Sequence, residues 1–173
     1  MSKSDIVHSI FRELFGYSAD FRNHSHRIMI HNAVFLMQEG GISCDGDLFS
    51  FGWYKRGAYS QELQRVLIAT PQSQVEQISF SKVGQYVLNC LKECIVTSHN
   101  GYSDVEWMEL LGSLGYMRNR WYQTTKKEHV LRRLVELKPS FNKNELNSIG
   151  FDAIQRYNKQ TDLSQRIIFM NED

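Results

Sequence analysis

Proline is scarce. Pro71 and Pro139 are the only two in 173 residues, and the eleven glycines follow no period, which excludes a collagen-like or low-complexity chain. Cysteine is scarce too: Cys44, Cys90 and Cys94 make an odd number at irregular spacing. That excludes a disulfide framework and reads as reduced thiols of a cytosolic protein. Net charge is nearly absent, at +1 with neutral histidines, so any nucleic-acid contact must come from a local patch. No apolar run approaches the roughly eighteen residues of a membrane span. The N-terminal MSKSDIVHSIFRELF carries Asp5, Arg12 and Glu13 where a signal peptide needs an unbroken apolar stretch. These absences predict a soluble, cytoplasmic chain.

Catalytic signatures are missing as well. There is no G-x-x-x-x-G-K-[ST] phosphate loop, no G-x-S-x-G elbow and no H-E-x-x-H helix. Asp45 and Asp47 in CDGD supply too few ligands for a divalent cation and read as turn chemistry. His24 and His26 do not share a helix face, and His31 lies five residues further on, with no carboxylate or cysteine completing a known metal spacing. They read as surface or capping histidines. Cys90 and Cys94 stand one helical turn apart with His99 beyond them, but only Cys44 remains to supply a second ligand pair. They read as half-buried apolar thiols. The expectation is a chain with no enzymatic activity, no cofactor and no metal.

What is present is a core-forming composition, 42% hydrophobic and 12% aromatic, sized for one domain. Apolar residues at helical spacing predict helices over 4–15, 23–39, 60–69 and 81–98. Gly16 and the Gly40–Gly41 pair stand where the first two would stop. Residues 72–80 read as a long loop. In the second half, Ser103 with Glu106, Thr125 with Glu128 and Asn142 with Glu145 each put a cap residue three positions before a glutamate, predicting three capping boxes. The helices that follow bury Trp107, Leu110, Leu111 and Leu114, then Val130, Leu131, Leu134 and Leu137, then Leu146, Ile149 and Ile154. A short strand is predicted over 48–54. The expected fold is mainly α, a helical winged-helix-like domain with one short strand or hairpin over residues 1–157, followed by a C-terminal tail over 158–173.

The most distinctive stretch is FSFGWYKRGAYSQEL at 49–63, with five aromatics, two glycines and the Lys55–Arg56 pair before a helix start at Ser60. Aromatics and glycines at this density on a connection mark a built surface. Trp53, Tyr54, Lys55, Arg56 and Tyr59 are therefore the candidate partner-binding residues, some packing inward and the turn positioning the rest. A second candidate is RNRWYQTTKKEHVLRR at 118–133, with six basic residues and one acid around Trp121 and Tyr122. Basic residues contact phosphates and aromatics stack on bases, so Arg118, Arg120, Lys126, Lys127, Arg132 and Arg133 are candidate nucleic-acid contacts. A solvated loop and helix start is the plainer reading of the same residues. Lys126 and Lys127 also oppose the dipole at a helix N-terminus.

The order FLMQEGG, short polar gap, FSFGWYKRGAYSQEL resembles the YwgA-like and Panacea-like (SocA-type) proteins, in which an aromatic strand leads through a lysine-glycine-proline-tyrosine-serine turn into a helix. Here Ala58 replaces the usual proline and Arg56 is an extra basic residue before Gly57. MELLGSLGYM and VLRRLVELKPSFNKNE look like the helix pair and the leucine-lysine-proline join of that family, so the resemblance spans roughly residues 28–155. It implies a small helix-rich module without an active site. Within that group, the small middle components of three-component ATPase systems, including Lamassu-type antiphage complexes, are similar in size and pattern. The function so implied is a non-catalytic accessory subunit bridging an SMC-like ATPase and an effector nuclease. The alternative is a free-standing antitoxin or DNA-binding regulator of the Panacea type.

Overall fold

The computed structural model describes residues 2–43, 48–69, 75–97 and 99–162. Asp45, Asp47 and Cys44 lie outside the described residues. The fold is mainly helical with a single two-stranded antiparallel hairpin, as the apolar periodicities predict. Its elements are α1 (Lys3–Phe15), α2 (His24–Glu39), β1 (Gly52–Tyr54), β2 (Gly57–Tyr59), α3 (Gln61–Ala69), α4 (Lys82–Val96), α5 (Asp104–Tyr116), a π-helical turn (Met117–Trp121), α6 (Lys127–Leu137) and α7 (Asn144–Gln160). No helix among the described residues is long and apolar enough to cross a membrane.

The two central helices are α2 and α5. Ile28 through Met37 are buried without a break in α2, and Trp107 through Gly115 in α5. Such helices face protein all round and occupy the middle of the core. They approach closely because α5 offers glycine where α2 offers bulk. A Cβ at Gly112 would run into the Asn32 side chain, and one at Gly115 would stand 2.6 Å from Leu36 Cδ2. Around this pair, α1 and α4 pack on α2, and α7 packs on α5, α4 and α6.

Several expected boundaries hold and others move. Asn23 caps α2 by accepting from the Ser25 N–H at 2.8 Å, and Ser81 caps α4 from the Gly84 N–H at 3.1 Å. Ser103 and Glu106 form the reciprocal capping box of α5, at 3.1 and 3.2 Å. A further box, Ser2 with Asp5, starts α1. The other two predicted boxes are corrected. Helices α6 and α7 begin one residue later than Thr125 and Asn142 imply, with Lys126 and Lys143 at the cap positions and no side-chain cap at either. At α7 a tertiary bond takes over: the Lys143 N–H donates to the Tyr102 hydroxyl at 3.1 Å. Of the expected tail over 158–173, residues 163–173 lie outside the described residues. Helix α7 runs past 157 to Gln160, where Tyr86 donates to the Gln160 carbonyl at 2.9 Å.

The strand predicted over 48–54 is confined to Gly52–Tyr54, and its partner Gly57–Tyr59 lies inside what reads as a turn. The register pairs Gly52 with Tyr59, Trp53 with Ala58 and Tyr54 with Gly57, leaving Lys55 and Arg56 as a two-residue loop. Gly57 has φ +98°, a left-handed conformation that glycine adopts without strain.

Candidate functional site: the hairpin tip and its anchors

The tip is held from behind by two buried polar side chains that the sequence reading did not single out. Asn32 of α2 is wholly buried. Its Nδ2 donates to the Ile28 carbonyl at 2.9 Å and the Arg56 carbonyl at 3.2 Å, and its Oδ1 accepts from the Ala58 N–H at 3.1 Å. Every hydrogen-bonding group of the amide that faces the hairpin is satisfied, as a buried amide requires. Gly57 and Gly112 stand on either side of it, where a side chain would collide with the amide.

Lys138 is the second anchor. It follows α6 in the join between α6 and α7, is buried, and donates from Nζ to the Tyr54 carbonyl at 3.0 Å and the Lys55 carbonyl at 2.8 Å. Its ammonium also stands 3.5 Å from Glu109 Oε1 and 4.8 Å from the centroid of the Trp53 ring. The second Glu109 oxygen accepts from Arg56 Nε at 3.0 Å. Burial pushes the Lys138 pKa below the usual lysine range, and the Glu109 carboxylate pulls against that shift. One buried acid thus bridges a buried lysine and a loop arginine, with backbone carbonyls completing the ammonium's coordination.

The outer face is the part left over. Tyr54 is 54% exposed, and Lys55 and Arg56 are exposed, while Phe49 and Phe51 are buried and Trp53 and Tyr59 half-buried. Gln38, in the FLMQEGG segment, fixes the approach to β1 by bonding both the N–H and the carbonyl of Phe49, at 2.7 and 3.0 Å. On one side of the tip lies an open groove of about 760 Å3 between the hairpin, the start of α5 and the α6–α7 join.

Residues 118–133 meet the tip through aromatic rings. The extra residue of the π-turn, closed by the Tyr122 N–H to the Met117 carbonyl at 2.8 Å, sets Trp121 4.9 Å from Trp53 and 5.3 Å from Tyr116. Both sequence-selected regions therefore share one aromatic cluster, with Trp121 45% exposed at its rim. The cations of this region are largely tied down. Arg120 pairs with Glu39 at 2.9 Å, Lys127 with Asp152 at 2.7 Å and Arg133 with Glu136 at 2.9 Å. The Arg118 guanidinium lies 5.0 Å from the centroid of Phe151. Lys126 and Arg132 are exposed and have no carboxylate partner among the described residues. The dipole conflict at the start of α6 is met by Asp152 on Lys127.

The histidines and thiols go separate ways. His26 Nδ1 accepts from the Asp20 N–H at 3.0 Å, and His31 Nδ1 from the Ser60 N–H at 3.2 Å. His31 must then carry its proton on Nε2, which donates to Gln64 Oε1 at 3.0 Å. Burial lowers its pKa to about 4, so the ring is neutral at pH 7. Cys94 and Cys90 are buried rather than half-buried, and burial raises the Cys94 thiol to about 12. Among the described residues no group of three or more histidine, cysteine, aspartate or glutamate side chains converges as a metal site would.

Comparison with family models, with curated proteins and with solved structures gives no match. The site is therefore read from its own chemistry. Asn32 and Glu109 carried no local signal, since each sits in an apolar helical run. Lys138 did: it stands in the leucine-lysine-proline join that carries part of the family resemblance.

Proposed function

We propose that this chain is a non-catalytic protein-interaction module and that the hairpin tip, with Trp53, Tyr54, Lys55, Arg56 and Tyr59, is its contact surface. The observation carrying this reading is the asymmetry of the tip. Buried Asn32 and Lys138 fix its backbone from behind, while the outward Tyr54 ring and Lys55 ammonium make no ion pair or hydrogen bond within the described residues. Rigid presentation of an aromatic and two cations lowers the ordering cost of binding, and aromatic and arginine side chains are the usual anchors of protein interfaces. The finer assignment rests on the family resemblance: a cytoplasmic accessory subunit of a bacterial antiphage complex that bridges an SMC-like ATPase and an effector nuclease.

The alternative, an antitoxin or DNA-binding regulator, draws on exposed Lys126, Arg132 and Trp121. The pairing of Arg120, Lys127 and Arg133 with carboxylates counts against it, because a phosphate would have to compete with each. Affinity purification from the native host, comparing wild type with Tyr54→Ala/Lys55→Ala, tests the proposal. The variant should keep the wild-type circular dichroism and lose a coiled-coil ATPase and a nuclease that the wild type retains. A folded variant that keeps its partners overturns the assignment to the tip. A salt-dependent shift of short duplex DNA by the isolated chain would favour the alternative.

A further inference from the structure

The hairpin tip has a second side. Apart from the open groove, α2, the hairpin and the start of α3 form a second open cavity of about 350 Å3. Its floor is apolar, formed by Ile28 and Ala58, and its wall is the Tyr54–Tyr59 ring pair, with centroids 4.8 Å apart. Tyr59 is backed by His31, stacked on it at 4.6 Å and 18°. Ser60 and Gln64 fix that imidazole from either end, so the wall is rigid. The neutral ring adds no charge to it.

The rim is cationic. Arg27 and Lys55 line the cavity, and among the described residues no aspartate or glutamate does. Arg27 Nη1 donates to the carbonyls of Phe21 and Arg22, at 2.8 and 2.9 Å. These bonds orient the guanidinium without cancelling its charge. Lys55 has no carboxylate partner among the described residues, whereas Arg56 is compensated by Glu109. The field in the cavity is thus set by two uncancelled cations over an apolar floor.

We infer that this cavity receives an acidic–apolar peptide segment of a protein partner, with a carboxylate against Arg27 and Lys55 and a neighbouring apolar or aromatic side chain between Tyr54 and Tyr59. The inference rests on the reading that the chain acts by protein binding, and it names the chemistry of the partner. Charge complementarity selects the carboxylate, and the apolar floor selects its neighbour. The volume is at the low end of the roughly 300–1,000 Å3 of ligand pockets, which suits a few side chains better than a run of nucleotides.

The test is an array of immobilised octapeptides of varied composition, probed with the tagged full chain, followed by NMR titration of the strongest binder. Peptides combining Asp or Glu with Leu, Phe or Trp should dominate. Their titration should shift the Tyr54, Tyr59, Ala58 and His31 resonances saturably. Lys55→Gln, at an exposed loop position, and Arg27→Gln should each weaken binding at least tenfold. Amidated counterparts with Gln and Asn should bind at least tenfold more weakly. Absence of any binder, preference for neutral or basic peptides, or shifts confined to the groove beside Phe141 would overturn the inference. So would tighter binding of a thymidine dodecamer at the same residues. If the array fails while Tyr54→Ala/Lys55→Ala still strips the partners, the inference falls and the interaction module stands. If the peptide binds but the partners remain, the tip assignment falls alone.

Discussion

The hairpin loop and the segment after α5 both read as clusters of aromatics and cations, yet the fold treats them oppositely. At the loop, buried Asn32 and Lys138 engage backbone atoms, so the Tyr54 and Lys55 side chains stay uncommitted. After α5, four of the six cations are themselves engaged, by Glu39, Asp152, Glu136 and the Phe151 ring. Local density of Lys and Arg therefore says little about the charge a partner meets. What decides it is whether the fold satisfies the backbone or the side chains of that segment.

The sharpest way to break this contrast is to remove a backbone anchor. Lys138→Ala leaves the Tyr54 and Lys55 carbonyls without their donor and Glu109 with Arg56 as its one cation, which should cost about 3 kcal/mol, the upper range for buried polar groups left unsatisfied. Urea unfolding at pH 7 measures it, and the Trp53 emission should show the hairpin loosening in the native baseline. A loss below about 1 kcal/mol would mean that Lys138 does not tether the loop.

The support behind the tip should also show in acid. The folded His31 pKa, about 4, lies below its ordinary value of 6.5, so the unfolded chain takes up the proton first as pH falls. Stability from this group is full above pH 6.5 and is lost on the way down to pH 4, by about 3 kcal/mol at about 1.4 kcal/mol per pH unit. His8, also held down by burial, acts in the same sense. The measurement is therefore the difference between wild type and His31→Gln in urea midpoints at pH 7 and pH 4. Equal pH slopes for the two proteins would refute a neutral, buried His31.

The smallest effects belong to the basic segment. Arg120→Gln and Arg133→Gln break half-exposed ion pairs and should each cost less than about 1 kcal/mol, falling further in 0.5 M salt. A larger loss for Arg120→Gln would point to its stacking over Phe35 and Tyr116, at 5.6 and 5.5 Å, as the true bond to the fold.

Much of the helical frame was legible. The apolar faces of α4, α5 and α6, the helix starts at Asn23 and Ser81 and the capping box at Ser103 follow from spacing and side-chain chemistry within a few residues. The capping boxes at Thr125 and Asn142 failed where distant groups, Asp152 on Lys127 and the Tyr102 hydroxyl on Lys143, engage the same turns. A hairpin was among the expectations, but its second strand was not placed, because its three residues, Gly57, Ala58 and Tyr59, offer no alternation to read. That the tip residues lie together was legible, since they are close neighbours along the chain. The residues that hold them were not, since a buried Asn in an apolar run looks like any surface residue of an amphipathic helix.

By itself the sequence determined a helical domain, its main caps and the place of its aromatic turn, because these depend on neighbours within a few positions along the chain. Only the tertiary structure decided which cations stay free, which strand completes the hairpin and which lysine is buried. Those outcomes depend on groups brought together from 24 to 84 residues apart, Asn32 with Arg56 and Lys138 with Tyr54 among them, and no local pattern encodes the meeting.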